Sequence, residues 1–238
     1  MGEPPEHISI VNFALMSVAD CPLVLRAHRI LIKLWEGKTS TVGAHSHPLV
    51  SHVPLMRVPP SVSEGKGNMD INDGSMTDYA IQIQAMGSAQ RWLDKADGWN
   101  GPEHVRDKCW LYSMLEMAYV NENLTDWDSK RQFELFALEM PRSGEEETAD
   151  QTLAREIVEK SIAQSWCLKL AHGFSAKLFG APTLGMHWRA NDESDCGPGT
   201  YGGWLRWAMS NLTQKNPPAP LRIPAYEPTM VGSLNDRL

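Results

Sequence analysis

The sequence lacks every short signature that would name a chemistry. It has no G-x-S-x-G elbow, no P-loop and no H-E-x-x-H helix. It also lacks a basic block: 22 Lys and Arg are scattered against 29 Asp and Glu, for a net charge of −7. A phosphate-dominated nucleic-acid binder is therefore not the default, and a nucleic acid enters only as a strand packaged in an assembly. The four cysteines (Cys21, Cys109, Cys167, Cys196) have no C-x-x-C spacing, which argues against a cysteine zinc site. Cys109 and Cys167 lie in apolar stretches and read as buried thiols. No apolar run approaches ~20 residues, so no membrane span is expected. The start, MGEPPEHIS, has neither a basic region nor an apolar run, so the chain is expected to be intracellular, or in a virion if it is a coat protein. Phenylalanine is scarce at five, whereas there are nine tryptophans and 12 methionines. Those residues fill irregular cores or line contact surfaces.

What is present is helical periodicity. With 238 residues the chain can bury a core without disulfides or metal. Residues 7–19 carry a stripe of Ile8, Val11, Leu15 and Val18. Residues 22–36 place Leu23, Ala27, Ile30, Leu31 and Leu34 on one face and Arg26, Arg29 and Lys33 opposite. Residues 37–76 are punctuated by Gly and Pro. A short hairpin is expected between 39–44 and 49–58, with Pro54 on an edge. Helices are then expected from Thr77 to before Gly98, from Pro102 through the apolar 109–115 stretch, over Phe133–Met140, over about 148–179 and over 201–213. The last 23 residues, NPPAPLRIPAYEPTMVGSLNDRL, show no period. The expected fold is mainly α, a single helical-bundle-like domain of about six to seven helices over 1–215. It carries a short irregular or β segment near 39–58 and an extended, Pro-rich C-terminal arm over 216–238.

Four constellations invite a chemical reading. His45-Ser-His47, with His52 nearby, would put two imidazoles on one face of a strand, where they could share a divalent metal. No Asp or Glu lies between Glu36 and Glu64 to complete such a site, and solvent-facing loop histidines are the simpler reading. Gly197-Pro-Gly199-Thr-Tyr-Gly202 has dinucleotide-type glycine spacing but follows an acidic run rather than a strand, so it reads as a loop and cap. Asp70-x-Asn72-Asp73-Gly74 misses both the glycine and the glutamate of a calcium loop and reads as an acidic turn. Residues 121–128, NENLTDWD, read as a loop followed by a cap.

Without a motif, the favoured reading is a non-enzymatic, self-assembling structural or interaction protein of coat or shell type. Its arms would dock on neighbouring copies in a homo-oligomer, without a cofactor. The expected contact residues are Trp207, Pro217, Pro218, Leu221, Ile223, Tyr226 and Met230, apolar anchors spaced along an extended chain. The alternative is an intracellular all-α enzyme acting on a small molecule in a Trp- and Met-lined pocket, with a divalent metal at His45, His47 and His52.

Overall fold

The structure is a computed structural model and describes residues 10, 15, 17–57, 72–165, 196–211 and 219–238. It is mainly α-helical with a small three-stranded sheet, as the sequence leads one to expect. The chain forms two compact units. The first comprises Met1–Val58, Ile71–Leu111 and Pro220–Leu238; the second comprises Pro59–Asp70 and Tyr112–Ala219.

In the first unit, α1 (Pro22–Trp35) starts with proline at its first position, where the missing N–H costs nothing. Its Leu23, Ala27, Ile30 and Leu34 recur at helical spacing and are buried. They pack on α3 (Ile81–Gln90), of which nearly every residue is buried, so α3 is the centre of the unit. Ahead of it, α2 (Asp73–Tyr79) is opened by a reciprocal cap: the Asn72 side chain accepts from the Ser75 amide, and Ser75 Oγ accepts from the Asn72 amide. The acidic turn of the sequence is thus a helix cap at Asn72. Asp70 lies outside the described residues.

The helix expected up to Gly98 ends at Gln90. β1 (Trp92–Asp94) follows and pairs antiparallel with β2 (Trp99–Asn100) around Gly98, whose φ of +72° suits glycine. α4 (Gly101–Lys108) leaves that hairpin. Trp92 continues the helical stripe of Ile81, Ala85 and Ala89 in sequence. Here, however, its backbone pairs with β3 (Met230–Val231), a parallel neighbour more than a hundred residues away, and its indole N–H donates to Gly232 O at 2.8 Å. Periodicity cannot register a partner so distant. Among the described residues the strands therefore lie at 92–94, 99–100 and 230–231. Residues 39–57 are turns with one 3-10 turn at Ala44–Ser46, entered through left-handed Gly43 at φ +77°. The apolar stretch after Lys108 is also not a covered helix: Cys109–Ser113 is not helical, and Trp110 is 84% exposed.

Residues 220–238 fold onto this unit. The Leu221 amide donates to Leu111 O, the Tyr226 hydroxyl donates to Gln90 O at 3.0 Å, and the Leu234 amide donates to Asp94 Oδ2 at 2.8 Å. Leu234 is fully buried, and Ile223 and Met230 pack against the same core. Of the expected anchors, Ile223, Tyr226 and Met230 are thus engaged within their own chain, while the Leu221 side chain remains 45% exposed. Beneath them, Arg26 is buried and pairs with Asp94 at 3.3 Å and with Asp97, its guanidinium lying over the Trp99 ring. The solvent-facing position expected for Arg26 is corrected: it sits between Leu23 and Ile30 on the buried stripe, and two aspartates accept its charge.

In the second unit, α5 (Met114–Met117) and α6 (Val120–Leu124) lead into α7 (Ser129–Ala137), capped by Asp128 through the Arg131 amide. α8 (Ala149–Gln164) is capped by Thr148 with Gln151. α9 (Tyr201–Asn211) packs on both α7 and α8 over Leu135, Phe136, Ala154, Ile157, Val158 and Leu205. Glu147 pairs with Arg155 at 3.0 Å in addition to flanking the start of α8. The helix expected to run towards residue 179 ends at Gln164, with Ser165 extended, and residues 166–179 fall outside the described residues. Of the stripe expected over residues 7–19, Ile8 and Val11 fall outside the described residues, while Leu15 and Val18 are exposed and not helical.

Candidate active site

The site grows from one carboxylate. Asp78, near the end of α2 and buried, accepts from the Gly43 amide at 2.7 Å through Oδ2. Its Oδ1 accepts from the His45 amide at 2.8 Å and lies 2.8 Å from His45 Nδ1. The left-handed Gly43 and the tight Ala44–Ser46 turn bring both amides and the ring to the same carboxylate. Thr77, one residue earlier, accepts from the Met56 amide at 2.9 Å, tying the other end of the 47–57 loop to α2.

Burial by itself pushes the Asp78 carboxyl up, but the hydrogen bonds from the His45 and Gly43 amides and from the His45 ring outweigh it and hold the group below its ordinary value. In the neutral ring an ionised Asp78 fixes the tautomer, with the proton on Nδ1 of His45 and the lone pair on Nε2. His45 lines a cavity of about 490 Å³ together with Ser46, Ser51, His52, Val53, Pro54 and Leu55. An oriented imidazole with a free basic nitrogen, backed by a carboxylate, is the arrangement of a general base.

Gly74 lies beside the ring: a Cβ there would stand 3.4 Å from His45 Cε1 and 3.7 Å from Nε2, in van der Waals contact with its far edge.

The other histidines part company. His47 Nδ1 accepts from the Leu49 amide at 3.2 Å. His52 lies against Trp92, ring centroids 6.4 Å apart and nearly perpendicular. Residues 44–46 form a 3-10 turn rather than a strand, so the alternation that would aim His45 and His47 at one metal is missing. Among the described residues, no group of three or more His, Cys, Asp and Glu side chains is arranged to hold a metal ion.

Burial, reinforced by the charges of Arg91 and Arg237, holds the His52 imidazole down to about 4 from 6.5. The unfolded chain takes up that proton near 6.5 and the folded chain resists it, so stability falls as pH drops through this window. The loss reaches at most about 3 kcal/mol. His47, pushed down by burial and by Lys38 and Lys33, acts in the same direction. Urea titrations at neutral pH and near pH 4.5 are expected to show a smaller difference in His52→Leu than in the unaltered protein.

Asp78 is the residue that sequence reasoning missed. A signal existed: between Gly74 and Leu93 the only charged residues are Asp78 and Arg91. A lone acid in so neutral a helical stretch marks a buried carboxylate with a task.

In the second unit, Trp207 is 57% exposed and lines a cleft of about 700 Å³ with Met140, Trp204, Arg206 and Asn211. The glycine-spaced segment beside it is a cap, as expected: Thr200 Oγ1 accepts from the Gly203 amide at 3.0 Å and donates to Gly197 O at 2.8 Å. Pro217 and Pro218 lie outside the described residues. No helix among the described residues is long and apolar enough to cross a membrane.

No protein-family model matches the chain. No solved structure matches it. It is similar to the glycosyltransferase afumC of Aspergillus fumigatus, 32% identical over 206 residues, covering 86% of this chain and 51% of that protein. It is similar to the O-glycosyltransferase PaGT of Phomopsis amygdali, 29% identical over 225 residues, covering 93% and 54%. A third relative is the O-glycosyltransferase braB of Annulohypoxylon truncatum, 28% identical over 212 residues, covering 85% and 48%. The chain spans about half the length of the curated relatives it matches.

These likenesses overturn the expectation of a non-enzymatic, self-assembling, capsid-like coat protein. Relatives that align with most of this chain bear the names of enzymes, which supports the small-molecule enzyme read as the alternative. Absent motifs misled, because an activity borne by dispersed residues leaves no short signature.

Proposed function

We propose that this chain belongs to an enzyme that transfers a sugar to a hydroxyl group, and that it supplies the base that activates that hydroxyl. The observation that carries the reading is the His45–Asp78 pair, Nδ1 to Oδ1 at 2.8 Å, at the wall of a cavity. Its support is the names of the relatives, two of which are O-glycosyltransferases.

The step balances simply. Nε2 of His45 takes the proton of the acceptor hydroxyl as that oxygen bonds to the anomeric carbon of an activated sugar. The bond from that carbon to its leaving group breaks, and the electron pair departs with the leaving group. The imidazolium that forms is stabilised by Asp78 and later releases its proton to water.

The test is to incubate the protein with nucleoside-diphosphate sugars and a panel of alcohols and to weigh the products. The reading expects an acceptor heavier by one sugar residue. Folded protein that yields no such product with any sugar or acceptor would count against it.

Gly74 offers a finer check. Alanine there adds a Cβ 3.3 Å from Asn72 Oδ1 and in contact with the His45 ring, a small steric demand on the fold. Unfolding free energy is expected to stay within about 1 kcal/mol of the parent, since alanine also favours the helix. Transfer is expected to fall roughly tenfold as the basic edge is covered and the acceptor displaced. Equal loss of stability and activity would show instead that Gly74 serves packing.

A further inference from the structure

Thr77 and Asp78 are neighbours in α2, and between them they hold both ends of one loop. Asp78 takes the start, where its carboxylate accepts from the Gly43 and His45 amides. Thr77 takes the end: its hydroxyl accepts from the Met56 amide at 2.9 Å and donates to Asp73 O at 2.6 Å. Both side chains are buried, Thr77 completely. Two side chains of α3 reach the same loop from below. Ser88 Oγ donates to Leu49 O at 2.6 Å, and Gln84 Nε2 donates to Pro54 O at 3.2 Å. The returning arm, residues 54–56, lies in no helix or strand, so the side chains of Gln84 and Thr77 are what fix it.

That arm is a wall of the cavity that His45 lines. Pro54 and Leu55 belong to the lining, and Leu55 stands exposed between two neighbours whose backbones are pinned. A valine at position 77 would fill nearly the same volume and suit the helix as well as threonine does. It would leave the Met56 amide without its acceptor. The hydroxyl therefore serves the loop, and it does so at the end away from the base. Without it the arm comes loose, while the bonds at Asp78 that aim the His45 ring stay in place.

We propose that Thr77 is a positioning residue: it sets where the cavity wall stands against His45, while Asp78 beside it sets the aim and strength of the base. One turn of α2 thus ties the space in front of the base to the base itself. The inference rests on the sugar-transfer reading for the words acceptor and transfer. The coupling between wall and base is measurable without turnover.

The experiment compares the full chain carrying Thr77→Val with the parent and with Thr77→Ser, which keeps the hydroxyl. Diethyl pyrocarbonate, which carbethoxylates a neutral imidazole nitrogen, reads access to His45 by mass spectrometry with no sugar present. In Thr77→Val, His45 is expected to react several-fold faster with its pH midpoint unmoved, because Asp78 still holds the ring. The Met56 amide is expected to exchange for deuterium roughly tenfold faster, the worth of one hydrogen bond. In transfer assays the acceptor KM is expected to rise about three- to tenfold with kcat and the pH profile in place, because the arm must be ordered again on binding. Thr77→Ser is expected to restore the labelling rate, the exchange rate and KM. Gln84→Leu frees the same arm from its other clasp and is expected to shift labelling and KM in the same direction, so it carries the test should Thr77→Val fail to fold.

Faster exchange at Met56 with His45 labelling and KM unchanged would make Thr77 a packing residue and overturn the proposal. So would a moved pH midpoint at His45, which would place Thr77 in the base rather than in the wall. If the parent transfers no sugar, the sugar-transfer reading fails, while the labelling rates still decide whether wall and base are coupled.

Discussion

Asp78→Asn is expected to lower sugar transfer by roughly 10²–10⁴-fold, the range spanned by loss of a positioned general base. Asparagine keeps the shape but has one oxygen where the site uses two. With the oxygen towards His45, the amide NH₂ meets the Gly43 N–H, donor against donor, where Oδ2 now accepts at 2.7 Å. With the NH₂ towards His45, Nδ1 must become the acceptor and the ring proton moves to Nε2, so the base is lost. Either way the negative charge that stabilises the imidazolium disappears. An amide left unpaired in the turn should also cost about 1–3 kcal/mol of stability, measurable by urea unfolding. Transfer that survives in Asp78→Asn at the parental rate would remove the carboxylate from the account.

The largest expected effect on stability lies beneath the C-terminal segment. Asp94 is 1% exposed and accepts from the Leu234 amide at 2.8 Å, the Ala96 amide at 3.1 Å and Arg26 at 3.3 Å. It thereby joins α1, the β1–β2 hairpin and residues 220–238. Asp94→Ala is expected to destabilise the first unit by about 3–5 kcal/mol, because it strips one partner from a buried guanidinium and orphans a buried amide. Against a typical total of about 5–15 kcal/mol, such a loss would leave much of the protein unfolded at growth temperature.

The pH dependence follows from the same contacts. Burial raises the Asp94 carboxyl, while the Leu234 and Ala96 amides and Arg26 more than offset it and hold the group below 3.8. Its stabilisation is therefore present above 3.8 and is lost as acid takes the pH through the depressed folded value. Acid unfolding in Asp94→Ala should lack this step. An unfolding free energy within about 1 kcal/mol of the parent would mean that Arg26 is served by Asp97 alone.

Much of the fold was legible in local pattern. α1 was read to within a residue at either end, because its apolar stripe, its proline and Gly37 agree. α7 was legible from its stripe and the Asp128 cap. What was not legible depends on distant partners. Trp92 extends a helical period yet lies in a strand, because Met230 pairs with it. Arg26 looked solvent-facing because nothing near it in sequence announces Asp94 and Asp97.

Residues 216–238 look unable to bury themselves because the segment follows no period, yet Ile223, Met230 and also Leu234, which the sequence reading does not single out, reach the core. An extended chain needs no period when a core built from other segments receives its side chains one at a time. The candidate site is half legible: His45, His47 and His52 stand out as a cluster, but the chemistry their spacing suggests is a metal. The carboxylate that organises His45 stands 33 residues away on a helix, where only its isolation among neutral neighbours marks it.

Turnover of His45→Ala measures the central claim most directly. The account predicts that this variant unfolds close to the parental midpoint, transfers sugar roughly 10²–10⁴-fold more slowly, and regains part of the rate when free imidazole is added. A variant that transfers sugar at the parental rate would contradict it.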